Sequence, residues 1–134
     1  MGWRWSHFNF GMDRTEFIKT LEKFNLPKSE FIILSGGSLL MRGLREKTAD
    51  FDLCVSKKLA EEIDLYDAPK DEKGFFVPFP NCQMMDNFEN IEFDVVDGHQ
   101  CESLESILAF KKSANRPKDQ KDIEKIEAIL GNLE

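Results

Sequence analysis

Phe31-Ile-Ile-Leu34 is a wholly apolar run rich in β-branched side chains, and it ends abruptly at Ser35-Gly36-Gly37-Ser38. A run with no polar residue on either side of its pleat reads as a strand buried on both faces. Such a strand needs neighbouring strands and cover on both sides, so the chain has to build a sheet with helices packed on it. At 134 residues it is long enough for one domain with one core.

The rest of the pattern supplies the cover. Residues 13–24 read as an amphipathic helix, with Phe17, Ile18, Leu21 and Phe24 on one face. Asp13 caps it, Glu16 completes a capping-box pattern, and Pro27 ends it. After the glycines, residues 39–43 read as a short helix. Residues 51–55 form a second strand, with Phe51, Leu53 and Val55 on one side and Asp52 on the other. Ser56 caps a helix running to Leu65, with Leu59, Ala60 and Ile63 inward. Residues 67–74 are a polar loop, and residues 75–79 an edge strand, because Pro78 cannot donate to a ladder. Residues 91–96 read as a third, buried strand broken by Asp97-Gly98. Helices follow over 103–112 and from Pro117 to a C-cap at Gly131, with a junction at 115–118. The expected fold class is α/β or α+β, a small mixed sheet flanked by helices. Residues 1–12, with Trp3, Trp5, Phe8 and Phe10, read as an arm or leader, and 13–134 as the single domain.

Composition narrows the chemistry. No apolar run approaches the length of a membrane span, and no secretory signal is visible. Three widely spaced cysteines, Cys54, Cys82 and Cys101, make neither a disulfide framework nor a zinc knuckle, so a cytoplasmic setting is expected. His99 and Cys101 read as a loop residue and a small buried hydrophobe. A net charge of −7 disfavours a long nucleic-acid groove but suits a carboxylate site neutralised by a divalent cation.

Two stretches suggest such a site. A strand that ends in Gly36-Gly37-Ser38 and feeds a helix can offer backbone amides, a close glycine approach and the Ser38 hydroxyl to a phosphate. Asp50 and Asp52, at i and i+2 on a strand, project from one face and repel each other, a cost that a hard cation removes. Asp94, between Phe93 and Val95, is the preferred third carboxylate, because a charge in an apolar strand needs a partner; Glu92 is its rival. Arg42 and Arg45 follow the glycines and can either clamp a phosphate or neutralise the aspartates.

Gly-Gly-Ser, a spacer, Asp50-Phe-Asp-Leu53 and a later strand with Asp94 together resemble the signature of the DNA polymerase β-type nucleotidyltransferase superfamily. The similarity runs from Phe31 to Asp122 and is greatest to small bacterial members, including those allied to abortive-infection toxins. Leu108-Ala-Phe-Lys111 and Arg116-Pro-Lys-Asp119 with Asp122 also resemble that group's helical segment. The resemblance implies that Gly37 and Ser38, with Gly36, hold the triphosphate. It implies that Asp50 and Asp52 bind two Mg²⁺ and that Asp94 acts at the catalytic metal. Lys111 or Lys118 would be the basic residue near the phosphates.

The activity so implied is Mg²⁺-dependent transfer of a nucleoside monophosphate from an NTP to an acceptor hydroxyl, releasing pyrophosphate, with Asp94 also able to take the proton. The acceptor would be a small hydroxylated molecule or a protein side chain, with an RNA end less expected. Little chain remains for an acceptor domain, so a homodimer could supply the missing wall. The alternative is a non-catalytic nucleotide-binding or protein-interaction module of the toxin–antitoxin kind.

Overall fold

The computed structural model describes residues 11–132. All of the expected arm except Gly11 and Met12, including its four aromatic residues, lies outside the described residues.

Asp13 opens helix α1 (Arg14–Lys23) through a full capping box. Its carboxylate accepts the Glu16 amide at 2.9 Å, and the Glu16 carboxylate accepts the Asp13 amide. Two of the amides left unpaired at a helix start are thereby satisfied. Strand β1 (Phe31–Ile33) leads into helix α2 (Ser35–Met41), and strand β2 (Phe51–Val55) into helix α3 (Lys57–Glu62). The Ser56 hydroxyl accepts the Leu59 amide and so fixes where α3 starts. Four strands follow in two hairpins, β3 (Phe76–Phe79) with β4 (Cys82–Met85) and β5 (Phe93–Val96) with β6 (His99–Glu102). Helices α4 (Leu104–Ala114), capped by Ser103, and α5 (Gln120–Asn132) end the described chain. No helix among the described residues is long and apolar enough to cross a membrane.

The strands form one mixed six-stranded sheet in the order β3-β4-β2-β1-β6-β5. β1 runs antiparallel to β2 and parallel to β6, and β2 runs parallel to β4. Register decides which side chains share a face. Ile33 lies opposite Leu53 and beside Cys101, and Leu53 lies beside Met84. These residues, with Phe31, Phe51 and Val55, form the face that α1 and α3 cover. Phe17 of α1 stacks on Phe51 with ring centroids 4.6 Å apart, and Phe24 stacks on Phe79 at 4.5 Å. The other face carries Ile32, Leu34 and Cys54 under Met85, Phe88 and Ile91. Leu39, Leu104, Ile107 and Ile126 tie α2 to the α4–α5 pair. The expected mixed α/β architecture is present, with five helices among the described residues.

The local differences have identifiable causes. The helix expected from Leu39 begins at Ser35, which takes a left-handed φ of 45°, so the chain turns from strand to helix within one residue. The glycines therefore lie inside the first turn of α2, not ahead of it. Gly37 is a packing glycine, since a Cβ there would meet Ile33 Cγ2 at 2.7 Å and Phe17 Cζ at 2.9 Å. Gly37→Ala is expected to cost about 1–3 kcal/mol through overpacking, read as a lower urea midpoint; an unchanged midpoint would refute this reading.

β4 and β6 were not foreseen. Gln83, Met84 and Met85 have no strand preference of their own, and β6 is His-Gln-Cys-Glu; pairing and burial, not propensity, make both strands. His99 is buried in β6 and is no loop residue, and burial holds its imidazole below the usual pKa. Cys101 is buried as expected. The strand expected to be buried at 91–96 is the edge strand β5, with Phe93 and Val95 exposed. α3 stops at Glu62 before a short 3₁₀ turn, Leu65–Asp67, and α5 continues through Gly131 to Asn132, so Gly131 caps nothing.

Candidate functional site

β2 enters the sheet from Asp50. Asp52 lies beside Gln83 of β4, and its carbonyl accepts the Leu34 amide at 2.8 Å, so its side chain belongs to the face opposite Leu53. Asp50 is exposed and Asp52 is partly buried. Burial pushes the Asp52 carboxyl up to about 6, and the neighbouring Asp50 charge pushes the same way. Lys73 and Arg45 pull it back, and Asp71 adds a smaller upward push. The loop bearing Asp71 and Lys73 is folded onto this end of the sheet. Gln83 Nε2 donates to Asp71 Oδ2 at 3.2 Å, while Asp71 Oδ1 accepts the Lys73 and Phe75 amides at 2.9 Å each.

Arg45 joins this corner to the C-terminal helices. Its guanidinium lies against Gly36, where a Cβ would collide with Nη1, and Nη2 donates to Asp122 Oδ2 at 2.6 Å. Lys111 Nζ sits 3.4 Å from Asp122 Oδ2 and donates to Asp119 Oδ1 at 2.8 Å. Arg116 Nε donates to Asp119 Oδ2 at 2.6 Å. Charges thus alternate in an unbroken row, Arg45–Asp122–Lys111–Asp119–Arg116. Burial alone would raise the Asp119 carboxyl, but the hydrogen bonds from Lys111 and Arg116 outweigh it and hold the group below its usual range.

A second set of bonds organises the start of α2. Ser38 is fully buried, and its hydroxyl donates to the Glu102 carbonyl at 2.8 Å. Arg42 Nε reaches Ser38 Oγ at 3.3 Å, while Nη2 donates to Asp94 Oδ2 and to the Glu102 carbonyl, each at 3.0 Å. The buried Glu102 carboxylate accepts the Ser35 amide at 2.9 Å and the Ser106 hydroxyl at 2.6 Å.

The fold therefore brings together Asp50, Asp52, Gly36 and Arg45 and leaves other expected residues elsewhere. Asp94 does not join the aspartate pair. β1 and β6 separate β5 from β2, about 14 Å at ordinary strand spacing. Asp94 also lies opposite Cys101, on the Leu53 face, whereas Asp52 belongs to the other. Its side chain is 56% exposed and is neutralised by Arg42, so the apolar neighbours that suggested burial belong to an edge. Glu92, the residue just before β5, is exposed and does not join either. The Ser38 hydroxyl is spent on backbone and Gly37 on packing. Arg42 serves Asp94 and Glu102. Lys111 is 2% exposed with its charge already paired, and Lys118 is an exposed residue of the turn Pro117–Asp119.

Asp71, Lys73, Glu102 and the role of Asp122 were missed. Asp71 and Lys73 sat in a stretch legible only as polar loop, and Glu102 in a strand too polar to recognise. No three His, Cys, Asp or Glu side chains among the described residues stand close enough to hold a metal together. The donor set is the pair Asp50 and Asp52. It fits one Mg²⁺, which takes one or two carboxylates and completes its shell with water and substrate phosphate; the arrangement of two ions on three carboxylates does not assemble. A pocket lined by Ser56, Lys57, Asp86 and Phe88 lies at the far end of β2 from this pair. Compared with protein-family models, curated proteins and solved structures, the chain matches none.

Proposed function

We propose that this protein binds a nucleoside triphosphate with Mg²⁺ at Asp50 and Asp52 and transfers its nucleoside monophosphate to an acceptor hydroxyl, releasing pyrophosphate. The observation that carries the reading is the Asp52 carboxyl, half enclosed beside Asp50 and raised to about 6. Two like charges kept together at this cost are what a hard cation relieves. Mg²⁺ held there would supply charge neutralisation of the triphosphate. Arg45 against Gly36 is the cation placed to meet phosphate oxygens, and Lys111 stands ready to keep Asp122 neutralised when Arg45 turns to a ligand. In the transfer, the acceptor oxygen bonds the α-phosphorus, the bond to pyrophosphate breaks, and the acceptor proton passes to water. Asp94 takes no part.

The separation of Asp94 and the occupied Ser38 hydroxyl favour a second reading, a nucleotide-binding or interaction module without turnover. Incubation with α-phosphate-labelled NTPs, Mg²⁺ and polyol, protein and RNA acceptors separates the two. Label on an acceptor with matching pyrophosphate release supports transfer, and binding without release supports the module. Arg45→Ala is expected to weaken NTP binding about 10- to 100-fold, the loss of a hydrogen bond between charged groups. Its melting temperature should barely move, because Asp122 keeps Lys111. Unchanged affinity by calorimetry would remove Arg45 from the site.

A further inference from the structure

The loop ahead of β3 is tightly built and tied to the strand beside the aspartate pair. Lys70 bridges Phe76, Val77 donates to the Pro69 carbonyl at 2.8 Å, and Asp71 donates to the Phe75 carbonyl at 2.9 Å, so residues 70–76 close as a turn. Gly74 takes a φ of 89° there, a left-handed conformation that glycine adopts without strain. The Asp71 carboxylate organises the turn from within. Its Oδ1 accepts the Lys73 and Phe75 amides at 2.9 Å each, and its Oδ2 accepts Gln83 Nε2 at 3.2 Å. Gln83 is the neighbour of Asp52 in the parallel pair β2–β4, and neighbours in register project from one face. Asp71 therefore fastens the turn on the face that carries the Asp52 carboxylate.

Lys73 is the cation that this turn presents. It is exposed, and among the described residues no carboxylate pairs with its ammonium. Lys70, the other lysine of the turn, is held over the Phe76 ring at 4.9 Å. Of the two cations whose charge acts on Asp52, Lys73 has the larger effect and Arg45 the smaller. They come from opposite sides. Arg45 lies against Gly36, which follows β1, and Lys73 belongs to the turn tied to β4. β1 and β4 are the two neighbours of β2 and stand about 10 Å apart at ordinary strand spacing. That width suits a chain of phosphates around a Mg²⁺ better than a single phosphate.

We propose that the turn at 70–76 is the second wall of the triphosphate site, that Lys73 binds phosphate oxygens across from Arg45, and that Asp71 is the positioning residue that holds Lys73 there. The inference rests on the reading of a triphosphate site at Asp50 and Asp52 and adds a part of the chain to it. The role given to Asp71 runs against simple electrostatics. As a bare charge beside the site, Asp71 would repel a phosphate, and its removal would tighten binding. As the acceptor that shapes the turn, its removal loosens Lys73 and weakens binding. Asparagine keeps an oxygen for the Lys73 and Phe75 amides without the charge, so it should preserve the turn.

Calorimetric titration of ATP, GTP, CTP and UTP with Mg²⁺ into the full chain and its variants tests this. Lys73→Gln should bind the preferred NTP about 10-fold more weakly than the wild type, with its melting temperature in the absence of ligand unchanged. Asp71→Ala should weaken binding several-fold, Asp71→Asn should bind at least as well as the wild type, and the Asp71→Ala/Lys73→Gln double variant should bind no more weakly than Lys73→Gln alone. If Asp71→Ala disturbs the fold, Lys73→Gln and Asp71→Asn carry the test. NTP binding by the wild type that is lost in Asp50→Asn/Asp52→Asn but unchanged in Lys73→Gln would overturn this proposal and leave the triphosphate site standing. Tighter binding by a folded Asp71→Ala would overturn the positioning role. A wild type that binds no NTP would overturn both the proposal and the reading beneath it.

Discussion

Asp52→Asn is expected to melt above the wild type at about pH 7.5 while losing the response to Mg²⁺ and NTP. The Asp52 carboxyl titrates near 6 in the folded chain against 3.8 when unperturbed, because burial and the Asp50 charge oppose ionisation. Ionised Asp52 therefore costs the folded state up to about 3 kcal/mol, at about 1.4 kcal/mol per pH unit of difference. Asparagine has nearly the same shape and carries no such cost, so its gain approaches that figure, roughly 5–10 °C in Tm for a chain of this size. The sign sets the pH dependence. Below about pH 4 the carboxyl is protonated in both folded and unfolded chains, and the advantage of asparagine vanishes. Between about pH 4 and pH 6 the folded state binds more protons, and the wild type loses stability relative to the variant as pH rises. Above about pH 6 the gap is full. Thermal melts at both ends of this range decide the matter, and an Asn variant no more stable than wild type at about pH 7.5 would contradict the assigned environment of Asp52.

Lys111→Ala should act in the opposite direction and more strongly. Lys111 and Asp119 are 2% and 3% exposed and joined at 2.8 Å, and Lys111 also faces Asp122. Removing one partner of a buried pair leaves a desolvated charge and typically costs about 3–5 kcal/mol. Arg116 and Arg45 temper the loss, since each keeps a bond to one of the two carboxylates. The loss should appear without any ligand, as a fall in Tm of roughly 10 °C or more. A double-mutant cycle with Asp119→Ala should show coupling of about 2 kcal/mol. Additive losses would mean that the two side chains do not stabilise one another.

Much of the frame was legible in the sequence, and its failures share a cause. β1 and β2 were readable because an unbroken apolar run and a strict alternation each report burial directly. The Asp13 capping box and the Ser56 cap were readable because they depend only on neighbours three residues away. Alternation reports faces but not neighbours, and so it could not tell that β5 lies at the edge. From that followed the misplacement of Asp94: apolar residues beside a carboxylate imply burial only in a central strand. Gly37 shows the same limit, for the atoms that demand a glycine there belong to Phe17 and Ile33. The sequence left Arg45 poised between phosphate and carboxylate. Its fixed partner is Asp122, 77 residues away, a contact that no local pattern encodes.

Calorimetric titration of each NTP with Mg²⁺ into the wild type and into the Asp50→Asn/Asp52→Asn double variant tests the central claim most directly. Saturable, Mg²⁺-dependent binding of at least one NTP to the wild type, absent from the variant, is the predicted result. Binding of equal affinity to both, or none to the folded wild type, would contradict a triphosphate site at these two aspartates.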